Sequence, residues 1–194
     1  KQLGAHLGKT VPGIFTDEPN YLHFHAGGDT VPWTEKLPQV FKRRYGYDLR
    51  DYLPELFADL RDVPMRPARW HFRDCCTHLF VDAFARQIGQ WCDRHNLMHT
   101  GHVLEESTPR RQTREVGSAM RFYEHMQAPG IDILTEPNDE YDTAKQCASV
   151  LRQTGRKWLL SETYGCTGWQ FPFEGHKAVS DWQAALGVNL RCQH

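Results

Sequence analysis

Three features of this sequence predict an α/β fold with a parallel sheet, the C-terminal part of a (β/α)8 TIM-type barrel. Short β-type runs alternate with long helical periods, the runs recur at nearly constant spacing, and most of them close on a carboxylate. The runs are GIFTDEP (13–19), MHTGHVLEE (98–106), GIDILTEP (130–137), KWLLSETYG (157–165) and GVNLRCQH (187–194). Each is short and punctuated by Gly or Pro. They close on Glu18, on Glu105 and Glu106, on Glu136, on Glu162 and on His194.

Helical periods fill the intervals. From Trp70 to His95 apolar residues return every three or four positions, which predicts one amphipathic helix. Asp142 to Thr154 predicts a second, stopped by Gly155, and Phe173 to Leu186 a third before Gly187. A weaker helix is expected between Glu115 and Met126. Strands joined through helices must run parallel. From Glu105 to Glu136 is 31 residues, to Glu162 another 26, and to His194 another 32. A closed eight-fold barrel uses roughly 31 residues per unit. From Glu18 to Glu105 is 87 residues, so one unit carries an insertion at about 20–68, where YGYDLRDYLPELF suggests short helices. Residues 1–194 then form one partial catalytic barrel, its strands four to eight, with an insertion on the strand-to-helix side. An open doubly wound sheet is the other arrangement, but no G-x-G-x-x-G follows any run.

Composition narrows the function. With 23 Lys+Arg against 24 Asp+Glu and a net charge of −1, the chain offers no basic groove for nucleic acid and no polybasic membrane patch. Hydrophobic residues at 40% and aromatics at 12% suffice for a core. No apolar run is long enough to span a bilayer, and KQLGAHLGKT holds no apolar leader. The six cysteines make no C-x-x-C and no ribbon spacing, so they are expected as reduced thiols, which leans toward a cytoplasmic protein. Secretion stays open, because the chain reads as part of a larger polypeptide.

The strand ends carry the chemistry, since parallel sheets bind ligands at the carboxyl ends of their strands. Glycoside hydrolysis needs two carboxyl groups flanking one bond, one giving a proton to the leaving oxygen and one attacking the sugar or activating water. Environment divides their roles: an apolar pocket raises the acid's pKa, while donors keep the other ionised. Glu18, after the buried Gly13-Ile14-Phe15 and before Pro19, is the general acid/base candidate. Glu162, after Trp158-Leu159-Leu160-Ser161, is the candidate nucleophile or base. A single strand-terminal Glu more often caps a helix or pairs with a cation; shared placement is what singles out these two. Glu105 and Glu136 sit similarly and are candidates for either catalytic role, for binding sugar hydroxyls or for a metal; His102 and His194 are candidates to donate to hydroxyls, with a core or cap role the other reading. Trp169, Tyr164 and, within the insertion, Trp33 are candidate platforms for the C–H face of a pyranose.

The strings GIFTDEPNY, PWTEKLPQVFKRRYGYDL, WCDRHNLMHTGH, LLSETYGCTGW and DWQAALGVNLRCQH resemble bacterial glycoside hydrolases with a clan A type barrel, near the α-L-rhamnosidase and β-galactosidase-like families. The resemblance implies an acid/base at the end of the fourth strand and its partner at the end of the seventh. Counting back from His194 on the eighth, these are Glu18 and Glu162. Asp17 stands where such barrels carry Asn before the acid; it can accept from a hydroxyl but cannot donate. No Tyr closes the sixth strand, and the eighth lacks the usual Trp. The residues alone call for no cofactor, but the resemblance to inverting, calcium-assisted rhamnosidases implies that Asp17 and spare acids hold Ca²⁺ through oxygen.

Two other functions compete. His23-Phe24-His25 with His99 and His102 suggests an amidohydrolase-like metal-dependent hydrolase, although His23 and His25 fall in an expected loop. A non-catalytic carbohydrate-binding barrel fragment would keep the aromatic platforms without needing two converging carboxylates.

Overall fold

The structure is a computed structural model that describes residues 3–22, 30–58, 67–135 and 140–194. Five strands, β1 (Gly13–Thr16), β2 (Met98–Gly101), β3 (Ala128–Asp132), β4 (Leu160–Thr163) and β5 (Leu190–Gln193), form one all-parallel sheet in the order β1-β2-β3-β4-β5. Each strand pairs with its neighbour in sequence, and the sheet curls into a half-barrel. The predicted fold class is therefore observed.

Helices α1 (Leu37–Tyr45), α2 (Pro54–Phe57), α3 (Ala68–Phe80) and α4 (Arg86–Arg94) lie between β1 and β2. Between β2 and β3 come α5 (Pro109–Glu115) and α6 (Ala119–Tyr123); α7 (Tyr141–Thr154) and α8 (Phe173–Leu186) make the last two crossovers. The main core, with Phe122, Tyr123, Ile131, Ala144, Cys147 and Leu159, fills the space between the sheet and these crossovers. A second core of Leu37, Phe41, Leu49, Phe72, Cys75 and Cys76 fastens the insertion onto α3. Asp74 on α3 locks this contact, accepting from Arg44 at 3.1 Å, Arg121 at 2.7 Å and the Tyr45 hydroxyl.

Several expected boundaries move. The strands stop earlier than their apolar patterns: MHTG pairs with β1 only as far as Gly101, where φ is +115°. A Cβ there would lie 2.0 Å from the Thr16 carbonyl oxygen, so only glycine lets the two chains pass this closely. Glu105 and Glu106 consequently sit in a turn, not on a strand. The long helix is interrupted by a π-turn at Val81–Ala85; the weaker one is the short α6, and α5, which precedes the expected span, is an additional helix, each started by a hydroxyl cap, Ser118 and Thr108. All six cysteines are free thiols, with Cys75, Cys76, Cys92 and Cys147 buried and Cys166 exposed. Among the described residues no helix is long and apolar enough to cross a membrane.

Candidate active site

The carboxyl ends of the strands converge on one imidazole. Leaving β2, Gly101 delivers His102, whose backbone N–H donates to the Thr16 carbonyl at 3.3 Å. The side chain is 1% exposed, and its Nε2 stands 3.0 Å from Glu162 Oε2, 3.2 Å from Asp17 Oδ1 and 4.0 Å from Asp132 Oδ2. Asp132 and Glu162 face the same way because they are register partners across β3 and β4. His194, just past β5, brings Nε2 to 3.9 Å from Glu162 Oε1. The segments leaving all five strands thus feed one acidic mouth.

Beneath it lies a fully buried carboxyl. Glu106 accepts from the Tyr123 hydroxyl and from the Asp132 backbone N–H. Burial pushes its pKa up to about 7, although His102 and both donors pull the other way. Burial also pushes Asp132 up to about 6, against His102 and with help from the charges of Glu162, Glu18 and Asp17. Glu18 therefore lies within electrostatic reach of the cluster, on its exposed side. For His102 burial favours the neutral ring, but Glu106, Asp132 and Glu162 outweigh it and its pKa rises. The mouth thus sets a buried donor, His102, against Glu162, with two carboxyls of raised pKa, Asp132 and Glu106, beside and beneath it, while Glu18 stands exposed rather than in an apolar pocket.

Asp17, His102 and Glu162 meet, with His194 at their edge. Glu18 follows directly with φ +47°, a left-handed conformation unusual for a non-glycine residue. Glu105 (φ +54°), Tyr164 (φ +74°) and Cys166 (φ +62°) share that feature, and such residues cluster at functional sites. Glu105 turns aside to pair with Arg111 at 3.0 Å. The Tyr164 hydroxyl donates to the His176 carbonyl at 3.3 Å and also bonds Ser180. Trp169 is wholly exposed on the loop after β4, and Trp33 is 45% exposed on the insertion. Glu136, His23 and His25 lie outside the described residues. His99 turns away, bonding Thr16 Oγ1 at 3.0 Å on the helix side, so it does not join His102 in a paired-imidazole metal site.

The sequence reading passes over Asp132 and singles out Glu105 in preference to Glu106. The available signal was an acid inside the apolar run GIDIL, since a charge in a buried strand carries a cost that function commonly explains.

Asp17, His102 and Glu162 present ligand atoms within 4.8 Å of one another, and Asp132 Oδ1 is buried without a partner. Convergent carboxylate oxygens suit a hard cation such as Ca²⁺. Among the described residues Asp17 and Glu162, with His102 between them, are the ones close enough together to hold it.

A curled parallel sheet with carboxylates gathered at its strand ends is a barrel-type domain with an acidic mouth. The profile of the α-L-rhamnosidase family, glycoside hydrolase family 106, matches residues 2–194, and the chain belongs to that family. The solved structure of a rhamnosidase from Novosphingobium sp. PP1Y has the same fold over 84% of this chain, with a TM-score of 0.66 and 22% identity. The match spans 16% of that much longer chain. No curated protein matches the sequence.

Proposed function

We propose that this chain carries the catalytic mouth of an α-L-rhamnosidase and acts within a longer polypeptide. In this reading Glu18 and Glu162 are the carboxyl pair that cleaves the glycosidic bond. The observation that carries it is the convergence of Asp17, His102, Asp132 and Glu162 from four strand ends, with Glu18 beside them. Family membership supplies the sugar class.

Glu18, exposed toward solvent at the lip of the mouth, protonates the leaving oxygen. Glu162 is the nucleophile or base; base agrees with the inverting chemistry of the enzymes this sequence resembles. His102 donates to Glu162 Oε2 and fixes that carboxylate, leaving Oε1 on the side of His194. A calcium ion held at the cluster around Asp17 would supply a point of attachment for sugar hydroxyls.

Glu162→Gln in the full-length protein should lower kcat on 4-nitrophenyl α-L-rhamnoside by about 10²–10⁴-fold with little change in KM. Glu18→Gln should cost more on a rhamnosyl disaccharide than on the nitrophenyl glycoside, whose good leaving group needs less protonation. Hydrolysis left intact in both variants would remove these two residues from the reaction and favour a carbohydrate-binding role for the chain.

A further inference from the structure

A concavity of about 630 Å³ opens beside the carboxylate cluster, shaped by the loop between β4 and α8 and by the end of β5. Its floor is a row of packed rings, with His176 centred 4.5 Å from Tyr164 and 4.7 Å from Phe171. Its rim is unpacked: Trp169 is wholly exposed and Phe173 is 93% exposed. Adjacent exposed aromatics beside a cavity mark a surface that something covers.

The loop is held in place. Tyr164 and Cys166 are both left-handed, the Tyr164 N–H donates to the Leu134 carbonyl at 2.7 Å, and the Thr167 hydroxyl donates to the Tyr164 carbonyl at 2.6 Å. Strain of this kind persists only where the surroundings over-determine it. Gly165 has a specific part: a Cβ there would come within 3.2 Å of His194 Nδ1. The imidazole can therefore approach the loop, where it lines the concavity and, though 70% exposed, stands 3.9 Å from the Glu162 carboxylate.

We infer that this concavity binds a second ring of the substrate, joined to the sugar at Glu162 and carrying at least one apolar face. Both a pyranose and an aryl group have that chemistry. The inference rests on the glycosidase reading above. The volume lies in the range of small-ligand sites, and an exposed indole and phenyl ring offer flat surfaces to a C–H-rich or aromatic face. Gln193 and His194, which also line it, supply hydrogen bonds to hydroxyls or ring oxygens.

The test uses the full-length polypeptide and the double substitution Trp169→Ala with Phe173→Ala. Substrates are α-L-rhamnosyl fluoride, with one ring, 4-nitrophenyl α-L-rhamnoside and a rhamnosyl-glucose disaccharide. The kcat/KM of a two-ring substrate relative to the fluoride should fall roughly ten-fold, chiefly through KM. A fall for the nitrophenyl glycoside alone assigns an aryl ligand, and one for the disaccharide alone a pyranose. An unchanged ratio overturns the proposal. So does a melting temperature lowered by more than about 5 °C, which would show these rings packing against protein. Titration of phenyl α-L-rhamnoside against both proteins needs no turnover, so it separates this inference from the glycosidase reading. The same titration with the rhamnosyl-glucose disaccharide covers the pyranose: binding of either ligand weakened roughly ten-fold supports the second-ring site even if nothing is hydrolysed, and equal affinity for both removes it.

Discussion

His99 and His102 stand three residues apart and are electrically opposite. Burial alone pushes His99 down to about 4, whereas His102 rises because carboxylates outweigh its burial. An unfolded chain protonates His99 near pH 6.5, so between about 6.5 and 4 the unfolded state binds the extra proton and stability falls as pH drops. The contribution reaches about 3 kcal/mol at most. Glu106 has the opposite sign. Its folded pKa of about 7 lies above the unfolded value, so its contribution is present at low pH and is lost as pH rises through 7. His99→Gln, which keeps a partner for Thr16 but does not titrate, should flatten the acid loss. Glu106→Gln should remove the loss that accompanies rising pH between about 4.5 and 7, and so steepen the acid loss that His99 causes. Urea midpoints at pH 5, 6.5 and 8 for wild type and both variants measure this; identical pH slopes in all three would remove both assignments.

The same scale shows what could be read in advance. Asp17, Glu18 and Glu162 are legible as candidates because each follows an apolar run, GIF or WLL, where a parallel strand presents its end, and His102 because it follows Gly101 in MHTGH. Asp132 is not legible by that rule. The run GIDILTEP stays apolar past it, and the strand ends at Asp132 only because pairing with β4 does. Glu106 is hidden for another reason: Gly101 ends β2 early, and the turn that follows buries Glu106 while sending Glu105 to Arg111.

At the scale of elements, the alternation of runs and helical periods identifies every strand and the two long C-terminal crossovers, because amphipathic spacing is a local property. Where elements stop is set by contacts distant in sequence, which the pattern does not contain. Two glycines make the distinction measurable. Gly101 has φ +115° and a Cβ position 2.0 Å from the Thr16 carbonyl oxygen; Gly155, the cap of α7, has φ +69° and nothing within 4 Å. Gly155→Ala should cost about 1 kcal/mol, the left-handed penalty alone. Gly101→Ala adds a backbone collision between β1 and β2 and should cost about 3 kcal/mol or more. In a chain of this size that is a fall in melting temperature of roughly 3 °C against roughly 10 °C. The larger fall should also reduce activity, since Gly101 delivers His102 to the mouth. Equal effects of the two substitutions would mean that β1 and β2 are not held at this spacing.

At the scale of the whole molecule, the half-barrel leaves two kinds of surface uncovered. Among the described residues β1 pairs only with β2 and β5 only with β4, so each presents an unpaired edge. Phe15, on β1, is 37% exposed with its ring edge-on to His102 at 5.9 Å, so the wall of the mouth lies open. A closed barrel pairs both edges and covers that wall. Stability should consequently be graded across the sheet, highest at β3, whose Ile131 is fully buried in the main core, and lowest at β1 and β5. Hydrogen exchange on the 194-residue chain should show amides of 13–16 and 190–193 exchanging well before those of 128–132. In the full-length protein the two edge strands should gain protection while β3 changes little. Uniform protection across all five strands of the isolated chain would show that its edges are satisfied without further strands, and the proposal that this chain works as part of a larger barrel would then fail.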